Sequence, residues 1–196
     1  MHPEIATGRL TLRLARPGME QAHVRFLERN HAKHLAAWSP PPAPGFFTAE
    51  FWAERLAAAV EEWQGGRSLR LVMQPAGAGA DADLVGTINY TNIVRGAFQA
   101  CHLGYQLGAE HEGRGFMSEA LRASNAFVFE HVRLHRIMAN YRPENVRSAR
   151  VLERLGFVKE GFARDYLFID AAWRDHVLTA LTHPAFDPRW LRTADG

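Results

Sequence analysis

A single cysteine, Cys101, stands among 196 residues, which excludes an intramolecular disulfide and a cysteine-built zinc cluster. No run approaches the roughly 18 uninterrupted apolar residues of a membrane span, and no basic stretch followed by an apolar one opens the chain. Neither sign of charge dominates: 23 Lys+Arg against 21 Asp+Glu leave +2 at pH 7. That balance does not argue for direct binding of DNA, although a sequence pI near 9.0 leaves room for a basic patch and for a partner that itself binds RNA. The 10 histidines are scattered. Neither His31/His34 nor His131/His135 comes with an acidic partner or an HExxH pattern, so no metal is expected. These absences predict a cytoplasmic protein with no membrane association.

What is present reads as an ordinary globular domain, 47% hydrophobic and 22% charged. The length suits one domain over 1–196, with a core at about 9–183 and a tail at 184–196. Arg9–Leu14 alternates apolar and polar residues as a half-buried strand does. Pro17 is expected to open a helix with Met19, Ala22, Phe26 and Leu27 inward. Thr48 is suited to cap a second helix, ended by Gly65-Gly66. Strands are predicted at Ser68–Gln74, Leu84–Val94 and Ala100–Leu107, with a low-complexity hairpin loop at Pro75–Asp83. A third helix from near Ser118 places Met117, Ala120, Leu121, Ser124, Phe127, Val128 and His131 on one side. A fifth strand, His135–Arg142, precedes a short helix capped by Asn145, and Phe157–Ile169 and Trp173–Thr182 form a last hairpin. The sum is an α/β layered domain: a mixed, mostly antiparallel seven-stranded sheet with helices on both faces.

One segment carries more than architecture. Leu107-Gly108-Ala109-Glu110-His111-Glu112-Gly113-Arg114-Gly115-Phe116-Met117 runs from a strand directly into a helix. Glycines there let backbone approach a ligand and aim unpaired N–H groups at one point, where the helix dipole also favours an anion. A tight turn is the plainer reading of the same residues. No Lys-Ser or Lys-Thr follows the second glycine, and Ser118 stands where a dinucleotide fingerprint needs its third.

The element order, with Glu110-His111-Glu112-Gly113-Arg114-Gly115 between the fourth strand and third helix, resembles the GNAT superfamily of acetyl-CoA-dependent N-acetyltransferases, whose motif A is Gln/Arg-x-x-Gly-x-Gly/Ala. Glu110 departs from its first position. Asn92–Gly96, Gly104-Tyr105, His135–Tyr141, Arg154–Phe157 and Trp173–Thr182 further resemble the RimJ type, which acetylates the N-terminal alanine of a small-subunit ribosomal protein, S-five in common naming. The likeness is dense from about 84 to 183 and thin before 65.

The resemblance implies the GNAT fold, acetyl-CoA as donor and the N-terminus of a ribosomal protein as acceptor. It places the pyrophosphate on the backbone of Glu112, Gly113, Arg114, Gly115, Phe116 and Met117. It places the pantetheine arm along Tyr105, Gln106 and Leu107, where the fourth and fifth strands part. Arg114 either adds a charge-assisted contact or is a solvated loop residue. Asn145 is a helix cap, to which the resemblance adds a pantetheine contact. Ser148 begins an inward stripe with Val151, Leu152 and Leu155, so its hydroxyl bonds either a backbone carbonyl or the departing CoA sulfur. Many relatives carry a tyrosine where this chain has Leu152, which raises Ser148 as the catalytic group, with Tyr141 second. Asn140 stands where some relatives have a glutamate base. An α-amine near pKa ~7.8 is neutral in roughly one molecule in seven at pH 7, a lysine near ~10.4 in roughly one in 2,500. The missing base therefore fits an N-terminal amine and direct attack on the thioester. Transfer to a small-molecule amine, such as an antibiotic or polyamine, and a non-catalytic acetyl-CoA-binding module remain as alternatives.

Overall fold

Residues 2–193 are described by a computed structural model. The chain runs β1 (Glu4–Ala6), β2 (Leu10–Leu14), α1 (Glu20–Asn30), α2 (Ala49–Gln64), β3 (Leu69–Pro75), β4 (Gly86–Val94), β5 (Ala100–Leu107), α3 (Phe116–Phe127), β6 (Arg136–Tyr141), α4 (Val146–Arg154), β7 (Val158–Ile169) and β8 (Ala172–Thr182). One sheet holds the strands in the order β1-β2-β3-β4-β5-β6-β8-β7. Among the described residues only β5 and β6 pair in parallel, because α3 crosses over between them.

Among the described residues the sheet therefore has eight strands, not the seven expected. The additional strand, Glu4–Ala6, lies at the edge and pairs with Thr11–Arg13. Three residues are too few to display a period of two. Pro17 does not open α1 either. Gly18 stands at φ +97°, outside helical space, and its N–H donates to the Glu20 carboxylate at 2.9 and 3.0 Å, so the helix begins at Glu20. Thr48 caps α2 as its chemistry suggests, its hydroxyl accepting from the Phe51 N–H at 3.3 Å.

Alternation along the strands divides two apolar layers. Leu69, Leu71 and Met73 face α3 and α4 together with Ile88, Tyr90, Cys101 and Leu103. Val72 turns the other way, into a smaller cluster with Phe26, Leu27, Leu56 and Ala59 of α1 and α2. After Phe127, α3 passes into a π-helical turn, Val128–Val132. The wider turn rotates the inward face, burying Phe129 and Val132 and leaving His131 outside, stacked on Phe127 at 4.8 Å. His131 does not belong to the core-facing stripe.

Beyond β8 the chain folds back, with Phe186 against His135 at 5.3 Å. Of the expected tail at 184–196, residues 194–196 lie outside the described residues. Among the described residues, no helix is long and apolar enough to cross a membrane, and no three His, Cys, Asp or Glu side chains gather as metal ligands.

Candidate functional site

The parallel pair comes apart. β5 and β6 are in register from Ala100↔Arg136 to Leu103↔Ala139, yet β5 continues to Leu107 and β6 to Tyr141. A cavity of about 1200 Å³ occupies the gap and continues to the start of α3. Gly104 is the first residue past the last pair, and a Cβ built there would meet nothing within 4 Å. At one strand edge, therefore, backbone and open space coincide.

At the far end, Gly113 (φ +72°) and Gly115 (φ +77°) take left-handed conformations that L side chains avoid. The first backbone bond of α3 runs from the Glu119 N–H to the Gly115 carbonyl. The N–H groups of residues 113–118 are thus free of protein acceptors among the described residues, at the positive end of a 12-residue helix. Glu112 differs: its N–H is bound to the Ala109 carbonyl at 3.2 Å, and its carboxylate pairs with Arg147 at 2.5 Å. The run of unbonded N–H groups begins at Gly113. The Arg114 guanidinium sits over the Phe116 ring, 5.1 Å from its centroid.

Arg9 holds this turn in place, a role that no local pattern announces. Its Nη1 donates to the Arg114 carbonyl at 2.9 Å and its Nε to Glu119 at 2.6 Å. The same carboxylate accepts from Thr7 Oγ1 at 2.6 Å and from the Arg9 N–H at 2.9 Å. Burial pushes the Glu119 pKa up, but these donors and the Arg9 charge outweigh it and hold it below the ordinary carboxylate value.

Across the gap, Asn145 caps α4, its side-chain oxygen accepting from the Ser148 N–H at 3.0 Å. That cap directs Ser148 at β5, where its hydroxyl meets the hydroxyl of Tyr105 at 2.7 Å. Tyr105 also reaches the Ser148 carbonyl at 3.5 Å. Its protein partner is thus a side-chain hydroxyl and not the backbone carbonyl of the plainer reading. Burial pushes the Tyr105 hydroxyl up to about 12, against the pull of the Ser148 bond, so it stays protonated at neutral pH. Tyr141 borders the same cavity from β6.

Of the β5 edge, the Leu107 carbonyl is occupied: His34 Nε2 donates to it at 2.9 Å. A carbonyl can only accept, so His34 carries its proton on Nε2 in the neutral ring. Its Nδ1 is buried without a protein partner among the described residues. Gln106 points to the α1–α2 connection and donates to Ser39 Oγ at 3.1 Å. Unbonded backbone donors at a helix start and an opened strand edge beside one cavity fit coenzyme A.

The opposite mouth of the cavity is aromatic and basic. Trp38, Phe46 and Phe51 line it, with Arg142 over the Trp38 ring at 5.3 Å. The two carboxylates lining the cavity as a whole, Glu112 beside the glycine turn and Glu144 before α4, are both paired with arginines.

Residues 9–158 match the family model described as the acetyltransferase (GNAT) domain. Over 108 residues the chain is 53% identical to the ribosomal protein uS5-alanine N-acetyltransferase of Escherichia coli (strain K12), an alignment covering 55% of this chain and 56% of that protein. The chain thus spans a little over half the length of the curated relatives it matches first. Among solved structures it resembles the ribosomal-protein-S5-alanine acetyltransferase of Vibrio fischeri, with TM-score 0.89, 36% identity and coverage of 95% of this chain and 100% of that one. Mycobacterium smegmatis RimJ in complex with CoA-disulfide gives TM-score 0.82 at 29% identity, covering 98% and 93%.

Proposed function

This chain belongs to the acetyltransferase (GNAT) family, and from that premise we propose that it transfers the acetyl group of acetyl-CoA to the N-terminal alanine of ribosomal protein uS5, in the cytoplasm. The observation that carries the reading is the continuity of one cavity. It joins the free N–H groups at the start of α3 to the opened edge of β5 and to the Tyr105–Ser148 pair.

Acetyl-CoA supplies a thioester whose carbonyl carbon is open to attack by an amine. The N–H groups of Gly113 to Met117 hold the pyrophosphate, and the β5 edge from Tyr105 receives the pantetheine amides. The space over Gly104 admits the acetyl group. Ser148, with Tyr105 behind it, donates a hydrogen bond to the departing sulfur. A hydroxyl at about 12 is a weaker acid than a thiol near ~8.5, by about 5 kcal/mol, so the pair steadies the thiolate rather than protonating it outright.

An α-amine of a neutral peptide fits the mouth better than a polyamine or an aminoglycoside. A polycation would need unpaired carboxylates, and the cavity wall presents Arg55, Arg70, Arg142 and Arg150 instead. The deciding experiment gives the protein acetyl-CoA with a short Ala-initiated uS5 peptide, an N-terminally blocked lysine peptide and spermidine. Mass spectrometry is expected to place the acetyl group on the peptide α-amine. Turnover of spermidine alone would sink this assignment.

A further inference from the structure

We infer that His176 is the base that removes the proton from the acceptor amine, an inference that rests on the acetyl-transfer reading above. His176 lies on β8, is 3% exposed as a residue, and borders the cavity. Its Nδ1 meets the carbonyl of Arg174 at 2.9 Å. Because a carbonyl can only accept, the neutral ring carries its proton on Nδ1 and its lone pair on Nε2. Nε2 hydrogen-bonds no protein atom among the described residues and is not sealed away in the interior. A buried imidazole fixed in one tautomer, with its basic nitrogen unclaimed beside a cavity, is a ready proton acceptor.

The register places it at the reacting end. Asn140 pairs with Leu178, two residues from His176, so strand alternation puts Asn140 and His176 on one face as diagonal neighbours. Gly104 follows the Leu103↔Ala139 pair and therefore opens beside Asn140 on that same face. The amine reaching a carbonyl carbon over Gly104 arrives between β5 and the β8 histidine.

The neighbouring strand is shaped around this ring. β7 loses register with β8 between Ala163 and Leu167, and Asp165 is held at φ +47° with its N–H bound to the Asp175 carboxylate at 2.9 Å. The irregularity turns Tyr166 inward, its ring 5.4 Å from His176 and its hydroxyl accepting from Asn140 Nδ2 at 3.0 Å. A non-glycine residue in the left-handed region is costly to retain, and here it packs Tyr166 on the ring and braces Asn140.

The step balances. The neutral amine attacks, the C–N bond forms and the N–H proton passes to Nε2. The C–S bond breaks to a thiolate that Ser148 hydrogen-bonds, and water takes the proton from the imidazolium and returns one to the sulfur. His176→Gln should lower kcat/KM for the Ala-initiated peptide by about 100-fold or more, with CoA affinity by calorimetry unchanged. His176→Ala should fall as far and recover at least tenfold in added imidazole. Activity of His176→Gln within about threefold of wild type, or a parallel loss of CoA affinity, overturns the inference. Should both variants misfold, imidazole-nitrogen NMR of the wild type decides. The Nε2 resonance should move when the peptide binds with CoA present, and an unmoved resonance overturns the assignment. Wild-type protein that binds CoA but acetylates no amine overturns the enzymatic reading and this one with it. Transfer by wild type matched by His176→Gln overturns this one alone.

Discussion

The hydroxyl of Tyr105 and Oγ of Ser148 lie 2.7 Å apart, joining β5 to the first turn of α4 across the gap where β5 leaves β6. The pair forms one device, since Tyr105 orients the hydroxyl that faces the cavity. Tyr105→Phe and Ser148→Ala should each reduce kcat about tenfold, within the range for losing a hydrogen bond to developing charge. The double variant should be no worse than about the poorer single one, because the two groups act as a unit. Steady-state kinetics on all three variants checks this. A double variant down about 100-fold would mean that the two hydroxyls act independently.

Gly104 separates space from backbone strain. It lies in a strand without a positive φ, and an added methyl meets no atom within 4 Å. Gly104→Ala should leave Tm equal or slightly raised, since alanine loses less conformational freedom on folding. The same methyl enters the space assigned to the acetyl group, so kcat/KM should drop at least tenfold. Thermal melts and kinetics on one preparation test both halves.

Gly113 is the converse. Space is open around it, but φ is +72°. An alanine must either hold a left-handed conformation, at about 1–2 kcal/mol, or relax and reshape the cradle. Gly113→Ala should weaken CoA binding by about tenfold, which corresponds to ~1.4 kcal/mol. Calorimetric titration with CoA measures it, and an unchanged Kd would remove the cradle from the binding site.

Glu119 makes stability depend on pH in a fixed direction. Its folded pKa lies below the ordinary 4.5, so the ionised form is favoured by folding. That contribution is complete above the unfolded value and is lost as the pH falls through the folded one. Glu119→Gln should therefore lower Tm at pH 7, and the gap from wild type should shrink steadily on acidification below about pH 4. Melting curves across that range give the answer, and a constant gap would mean that the carboxylate charge is irrelevant to the anchoring of Arg9.

The legible features share a physical property: each is decided within about four residues. Thr48 and Asn145 bond N–H groups three residues on, so both caps can be read from the chain. Gly113 and Gly115 precede a helix, and the donors they leave free are their own neighbours'. Val72 parts from Leu71 and Met73 by simple alternation. The departures have local causes too. Gly18 at positive φ delays α1, three residues are too few to announce β1, and a π-helical turn carries His131 out of the stripe.

The chain by itself determined its layered α/β fold, its family and the glycine turn that starts α3, because periodicity, capping and glycine conformation are properties of short segments. Only the tertiary structure decided what surrounds the reacting atoms. Tyr105 meets Ser148 across 43 residues, His34 meets Leu107 across 73, and Arg9 reaches Glu119 across 110. Each pairing depends on strand order, on the register of β5 with β6 and on where that register ends. Short segments hold no record of those quantities, since they arise when distant apolar faces find their common core.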